Sequence, residues 1–194
     1  PDKTDPQAPS VSFVTVLAGL TAAAPDLVVE CAGHGAVVQH VPALLQAGHD
    51  VVIASVGALA DRTFFTQLKD AASQGNARLI LPSGAIGGLD MLRAVAMKEK
   101  VQLSYKGIKL PDAWRGSPAE DVIDLSRIET AQTIFAGSGR AAALAFPKNA
   151  NVVAALALAG NCFDHMEVKL IADPAAPSNQ HVYTVTSPLC QYTM

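Results

Sequence analysis

Three short apolar runs, each ending in small residues and each followed by a helical pattern, restrict this chain more than any other feature. Asp26 precedes Leu27-Val-Val-Glu-Cys-Ala32, which stops at Gly33-His34-Gly35. Val37, Val38, Val41, Leu44 and Leu45 then fall on one helical face, and Gly48 closes it. Val51–Ala54 is the second run. Asp61 can cap the stretch after it, which carries Phe64, Phe65, Leu68 and Ala72. Arg78–Leu81 is the third, ending at Pro82-Ser-Gly-Ala-Ile-Gly-Gly88, with a helix through Leu89, Leu92, Val95 and Ala96. Continuous β-branched runs are buried on both faces, so this alternation predicts a parallel sheet with right-handed crossovers.

The second half changes character. Strands are expected at Val101–Leu110, Thr130–Phe135, Glu167–Asp173 and His181–Ser187. Short helices are expected near Arg140–Ala145 and Ala150–Ala159, and Pro111–Pro118 with Trp114 reads as a loop. Helices no longer separate every pair of strands, so a mixed or antiparallel sheet follows. The chain divides into a parallel α/β lobe at 1–86 and an α+β lobe at 87–194. Residues 1–10, with three prolines and no apolar period, read as a tail or linker, and a short strand is expected at Val11–Val14 before a helix from Val16 to Ala23.

Composition narrows the function classes. Half of the 194 residues are apolar and 16% are charged, which is a globular balance. A net charge of −3 favours neither nucleic acid nor an anionic membrane, and no apolar run reaches the ~18 residues a bilayer requires. Cys31, Cys162 and Cys190 are an odd, scattered set, so no disulfide framework or zinc site is expected and a reducing cytoplasm is the simplest compartment. No signal-peptide pattern is seen.

Ligands of open parallel sheets bind at the C-terminal ends of strands. Three strand ends here are rich in small residues: Cys31–Gly35, Ser55–Gly57 and Ser83–Gly88. Small side chains let a flat ring or a sugar approach the backbone, although glycines that simply end strands explain each loop equally well. Gly33-x-Gly35-x-x-Val38 lacks the third glycine of a dinucleotide turn, and Ser55 stands where an acidic ribose contact would be. In the second half, Phe146-Pro-Lys-Asn-Ala-Asn151 opens an apolar helix; its Lys and Asn side chains can face an anionic ligand, or Asn149 or Asn151 can serve only as a cap. His181 follows Asp173-Pro-x-x-x-x-Asn179-x. A histidine titrates near pH ~6.5 and exchanges protons at neutral pH. By spacing alone His181 reads as a surface-loop histidine, with His34 at a strand end as its rival.

The segments DLVVECAGH (26–34), SVGALAD (55–61), LPSGAIGGLD (81–90), AWRG (113–116), FPKNANV (146–152) and LIADP-x-x-x-x-NxH (170–181) occur in the order found in L-aspartate dehydrogenases, a family this chain resembles over residues 14–185. The resemblance implies a partial Rossmann NAD(P)-binding lobe followed by an α+β substrate and dimerisation lobe. It implies NAD(P)-dependent oxidative deamination of L-aspartate, through iminoaspartate, to oxaloacetate and ammonia, with the reverse amination, a link to NAD biosynthesis and a homodimer. By motif match the catalytic histidine is His181. Cofactor contacts fall on Ala85 and Asn151, with Ala32, Gly33 and Ser55 lining the cleft. Lys148 and Asn149 are expected to hold substrate carboxylates. Family members begin with a strand and a GxGxxG turn that residues 1–10 do not contain, so the first βαβ unit and a C-terminal portion after Val185 are expected to be missing. NAD and NADP remain equal alternatives, because the ribose-reading strand belongs to that unit. Two other readings stay open: a dehydrogenase of another small acid, and a non-catalytic dimerisation or binding module.

Overall fold

The computed structural model describes residues 11–147, 149 and 151–194. Residues 1–10, Lys148 and Ala150, and with them the expected tail, one of the substrate contacts and the first residue of the expected helix 150–159, lie outside the described residues. The first lobe runs α1 (Leu17–Ala22), β1 (Val28–Glu30), α2 (His34–Gln46), β2 (Val51–Ile53), α3 (Arg62–Gly75) and β3 (Leu79–Ile80). The strands form a parallel sheet in the order β1-β2-β3, with Val28 opposite Val51 and Val51 opposite Leu79. Helices α2 and α3 bury Val37, Val41, Leu44, Leu45, Phe64 and Leu68 in one core with Val51 and Ile53. Asp61 caps α3 as expected, accepting from Phe64 N at 3.0 Å, a contact typically worth ~1 kcal/mol.

Two expectations fail here. Residues 11–14 pair with no strand among the described residues, and Phe13 is 91% exposed. The run Leu27–Ala32 is strand only at Val28–Glu30, because the Glu30 carboxylate takes the Ala32 and Gly33 amides at 2.7 and 2.8 Å and turns the chain out of the sheet.

The second lobe runs α4 (Leu89–Ala96), β4 (Gln102–Lys109), α5 (Ala119–Val122), β5 (Gln132–Ser138), α6 (Gly139–Ala145), α7 (Asn151–Ala159), β6 (Glu167–Ala172), β7 (Gln180–Thr186) and β8 (Gln191–Thr193). Its five-stranded sheet has the order β5-β6-β4-β7-β8. Only β4 and β6 are parallel, so the sheet is mixed, as the irregular spacing of helices suggested. The stretch Pro111–Trp114 is a 3-10 turn rather than an open loop. Trp114 is fully buried there, donates to the Ile171 carbonyl at 3.2 Å and meets Phe146 edge-on. β8 is an element the sequence reading did not place.

Helix α7 joins the lobes. It is apolar all round, the signature of a buried helix. Leu156 and Ala157 enter the second core, whereas Ala154 belongs to the first. Arg140 on α6 adds a polar tie. It pairs with Asp164, which also holds Arg62 of α3, and it donates to the Ala60 carbonyl.

Candidate functional site

His181 lies near the start of β7, directly opposite Gly107 of β4. Successive side chains on a strand alternate faces, so Tyr105, Gly107 and Lys109 share the face of β4 that packs under the helices. Tyr105 is 2% exposed, and its hydroxyl lies 2.7 Å from His181 Nδ1. Lys109 Nζ donates to Asn149 Oδ1 at 3.0 Å and stands 5.1 Å above the Trp114 ring. Burial pushes the Lys109 pKa down. Burial, and then the Lys109 charge, push the His181 pKa down as well. A half-buried histidine, a cation and an amide therefore converge at one end of the mixed sheet.

The second group sits where the lobes meet. Asn151 opens α7 and its Oδ1 accepts from Gly57 N at 3.0 Å. Gly57 follows β2 in a buried 3-10 turn. A Cβ at position 57 would stand 2.6 Å from the His34 ring and 3.1 Å from Asn151 Oδ1, so only glycine permits this approach. His34 Nε2 is buried without a hydrogen-bond partner among the described residues. Beneath them, Glu30 accepts from Ser55 N and Oγ as well as from Ala32 N and Gly33 N. Burial works to raise the Glu30 pKa, but these hydrogen bonds outweigh it and the net shift is downward.

Apart from Lys148, each residue singled out from the sequence now has a place. His181 and Asn149 fall in the first group, Asn151 in the second. Asn149 and Asn151 are two residues apart, so one short segment serves both. Ala32 is exposed and Gly33 half-buried at the end of β1. Ser55 is buried, and both its amide and its hydroxyl are taken by Glu30, so it braces the strand ends from below. Ala85 is exposed on the loop after β3. That loop is anchored to the strand carrying His181, because the Tyr183 hydroxyl donates to the Gly87 carbonyl at 2.7 Å. Tyr105, Lys109 and Glu30 are not marked by the sequence, and Gly57 is marked only as part of the small-residue strand end Ser55–Gly57. No spacing rule links residues 76 positions apart, and a single lysine at a strand end carries no local signal.

Residues 90–194 match the family model described as aspartate dehydrogenase, C-terminal, and residues 2–82 match the NAD-binding domain model of homoserine dehydrogenase. The chain belongs to the aspartate dehydrogenase family. It is 52% identical over 171 residues to an L-aspartate dehydrogenase of Ruegeria pomeroyi, covering 88% of this chain and 62% of the relative. It is 45% identical over 179 residues to L-aspartate dehydrogenase 2 of Bordetella bronchiseptica, covering 92% of this chain and 67% of that protein. The chain thus spans about two thirds of the family members it matches. The crystal structure of the Thermotoga maritima aspartate dehydrogenase superposes with a TM-score of 0.76 at 28% identity, over 99% of this chain and 76% of that one. The α/β lobe followed by an α+β lobe is therefore the architecture of the family.

Proposed function

We propose that this chain carries the substrate half and part of the nucleotide half of an NAD(P)-dependent L-aspartate dehydrogenase. The observation that carries the reading is the convergence of His181, Lys109 and Asn149 beside strand ends bare of large side chains. A Cβ at Gly33, Gly35 or Gly84 would meet nothing within 4 Å, so the rim has room for a ribose or a ring. Ala32, Gly33 and Ala85 line that rim, and Asn151 offers its amide nitrogen while its oxygen holds Gly57. Ser55 supports the rim through Glu30. These features fit a dinucleotide, either NAD or NADP, which when bound supplies the acceptor for the hydride of the aspartate α-carbon.

This chain's own residues do the rest. The Lys109 ammonium has lost part of its hydration and, among the described residues, gains one amide oxygen and an aromatic face in exchange; a substrate carboxylate completes its shell. Asn149, and Lys148 beside it in sequence, take the remaining carboxylate contacts. Iminoaspartate adds water to give a carbinolamine, which releases ammonia and leaves oxaloacetate. His181 hydrogen-bonds the carbinolamine oxygen and stabilises the negative charge it carries as ammonia leaves, a role worth on the order of 10²–10³ in rate. The same groups serve the reverse amination. Iminoaspartate is also a precursor for NAD biosynthesis, which gives the reaction a metabolic outlet. The free cysteines suit a reducing cytoplasm, and among the described residues no helix is long and apolar enough to cross a membrane. The mixed sheet supplies a surface for homodimer formation.

Fluorescence titration with NADH and NADPH, followed by assays with L-aspartate and with oxaloacetate plus ammonia, tests the reading. Nucleotide binding with aspartate-dependent reduction, lost in His181→Ala, is the expected result. Turnover of another small acid alone, or dimerisation with no nucleotide binding, overturns it in favour of a different dehydrogenase or a binding module.

A further inference from the structure

The pair His181 and Gly107 face each other across the antiparallel β4–β7 ladder, and Tyr105 is two residues back from Gly107 on the same face. Diagonal neighbours in a sheet are usually ~7–8 Å apart, within reach of an aromatic side chain only if nothing stands between. Gly107 leaves that path open. A Cβ there would lie 2.8 Å from the Tyr105 hydroxyl oxygen, with ring carbons at 3.2 and 3.3 Å. The Tyr105 ring therefore lies across Gly107, nearly parallel to the imidazole at 20° between planes, with its hydroxyl 2.7 Å from Nδ1.

We propose that Tyr105 is the positioning residue of this site: its hydroxyl donates to His181 Nδ1 and holds the neutral ring as the Nε2–H tautomer. Counting donors assigns the direction. The Tyr105 oxygen makes no other hydrogen bond among the described residues, and the residue is 2% exposed. Were Nδ1 to carry the proton and donate, the phenolic proton would be buried with no acceptor, which folded proteins avoid. Burial raises the Tyr105 pKa, so the phenol keeps its proton. The bond made at one ring nitrogen sets the state of the other. His181 Nε2 makes no hydrogen bond among the described residues, so it is the nitrogen left for a ligand. At rest, the ring offers that ligand a hydrogen-bond donor rather than a lone pair. It thus meets the carbinolamine or carbonyl oxygen as a polarising N–H.

The inference deepens the dehydrogenase reading and rests on it for its catalytic meaning, but it can be tested without turnover. Long-range proton–nitrogen NMR of the ¹⁵N-histidine-labelled chain, with His181 assigned through His181→Gln, reads the tautomer directly. The expected result is a single neutral form protonated at Nε2. Tyr105→Phe, which keeps the ring and removes only the hydroxyl, should give a mixture of tautomers, and Gly107→Ala should do the same by displacing the ring. A wild-type ring protonated at Nδ1, or an unchanged tautomer in Tyr105→Phe, overturns the proposal. In the assay, Tyr105→Phe should lower kcat about tenfold with KM for aspartate unchanged; a tenfold loss is about 1.4 kcal/mol. If wild-type shows the expected tautomer but no aspartate turnover, the dehydrogenase reading fails while the Tyr105–His181 assignment stands.

Discussion

Lys109 Nζ and Asn149 Oδ1 are 3.0 Å apart, joining the end of a sheet strand to the segment that opens the interlobe helix. The ammonium is half-buried over Trp114 and its pKa is lowered by that burial. Among the described residues it makes no second hydrogen bond, which leaves donors for an anion. Lys109→Met should therefore raise KM for both aspartate and oxaloacetate with a smaller change in kcat. A hydrogen bond to a charged group is typically worth ~1.5–3 kcal/mol, which is on the order of 10–150-fold in kcat/KM. Steady-state kinetics with each substrate checks this, and unchanged KM values would remove Lys109 from the carboxylate site.

The same substitution should move His181. Its folded pKa is depressed first by burial and then by the Lys109 charge. In Lys109→Met the burial remains and the repulsion goes, so the NMR titration midpoint of His181 should rise but stay below the unfolded value of ~6.5. Between the depressed folded pKa and ~6.5 the unfolded chain binds more protons, so the contribution of His181 to stability is full above ~6.5 and is lost as pH falls through the folded value. Urea midpoints between pH 7.5 and 4.5 should thus fall less steeply in His181→Gln than in wild type.

Glu30 binds the ends of β1 and β2 with four hydrogen bonds while only 8% exposed. Glu30→Ala strands the Ser55 amide and hydroxyl in a buried position. The expected loss is about 3 kcal/mol, read as a fall in thermal midpoint, with weaker nucleotide binding because the rim loses its brace. An unchanged midpoint would show that water replaces the carboxylate.

Gly57 sets the spacing between His34 on α2 and Asn151 on α7. Gly57→Ala forces the His34 ring away from its position, since the new methyl would sit 2.6 Å from it. Overpacking of this kind costs typically ~1–3 kcal/mol. The interlobe bond from Gly57 N to Asn151 is expected to lengthen, and hydrogen exchange at that amide should accelerate more than at the Val52 amide within β2. Equal rates at position 57 in wild type and variant would exclude the clash.

Cysteine reactivity offers an independent check on burial. Cys31 is exposed, whereas Cys162 is buried and its thiol is pushed up to about 11 by that burial. The thiolate is the reactive form, so an aromatic disulfide reagent at neutral pH should modify Cys31 first and Cys162 only on unfolding. Rapid labelling of Cys162 in the folded chain would contradict the packing of α7 against the second lobe.

The parallel lobe was legible because its signal is local. Val28–Glu30, Val51–Ile53 and the helices after them announce themselves by β-branched runs and a 3.6-residue period, and Asp61 marks a helix start by its position alone. Residues 11–14 misled because an apolar stretch becomes a strand only beside a partner, which periodicity cannot supply. β8 was missed for the opposite reason: Gln191–Thr193 is too short for a pattern, and its pairing with Thr184–Thr186 makes it a strand.

The sequence by itself determined the order of elements, the small-residue strand ends and the motif around His181 that ties the chain to its family. Only the tertiary structure decided what His181 touches. The β4–β7 register brings Tyr105 and Lys109 to a histidine more than seventy residues away, and Gly107 leaves the gap that lets the phenol reach it. Hydrogen bonds and charge act over a few ångströms of space, whereas sequence patterns record only neighbours along the chain. For that reason the hydrogen bonds from Ser55 to the buried Glu30 carboxylate, and the approach of Lys109 to Asn149, are visible only in three dimensions.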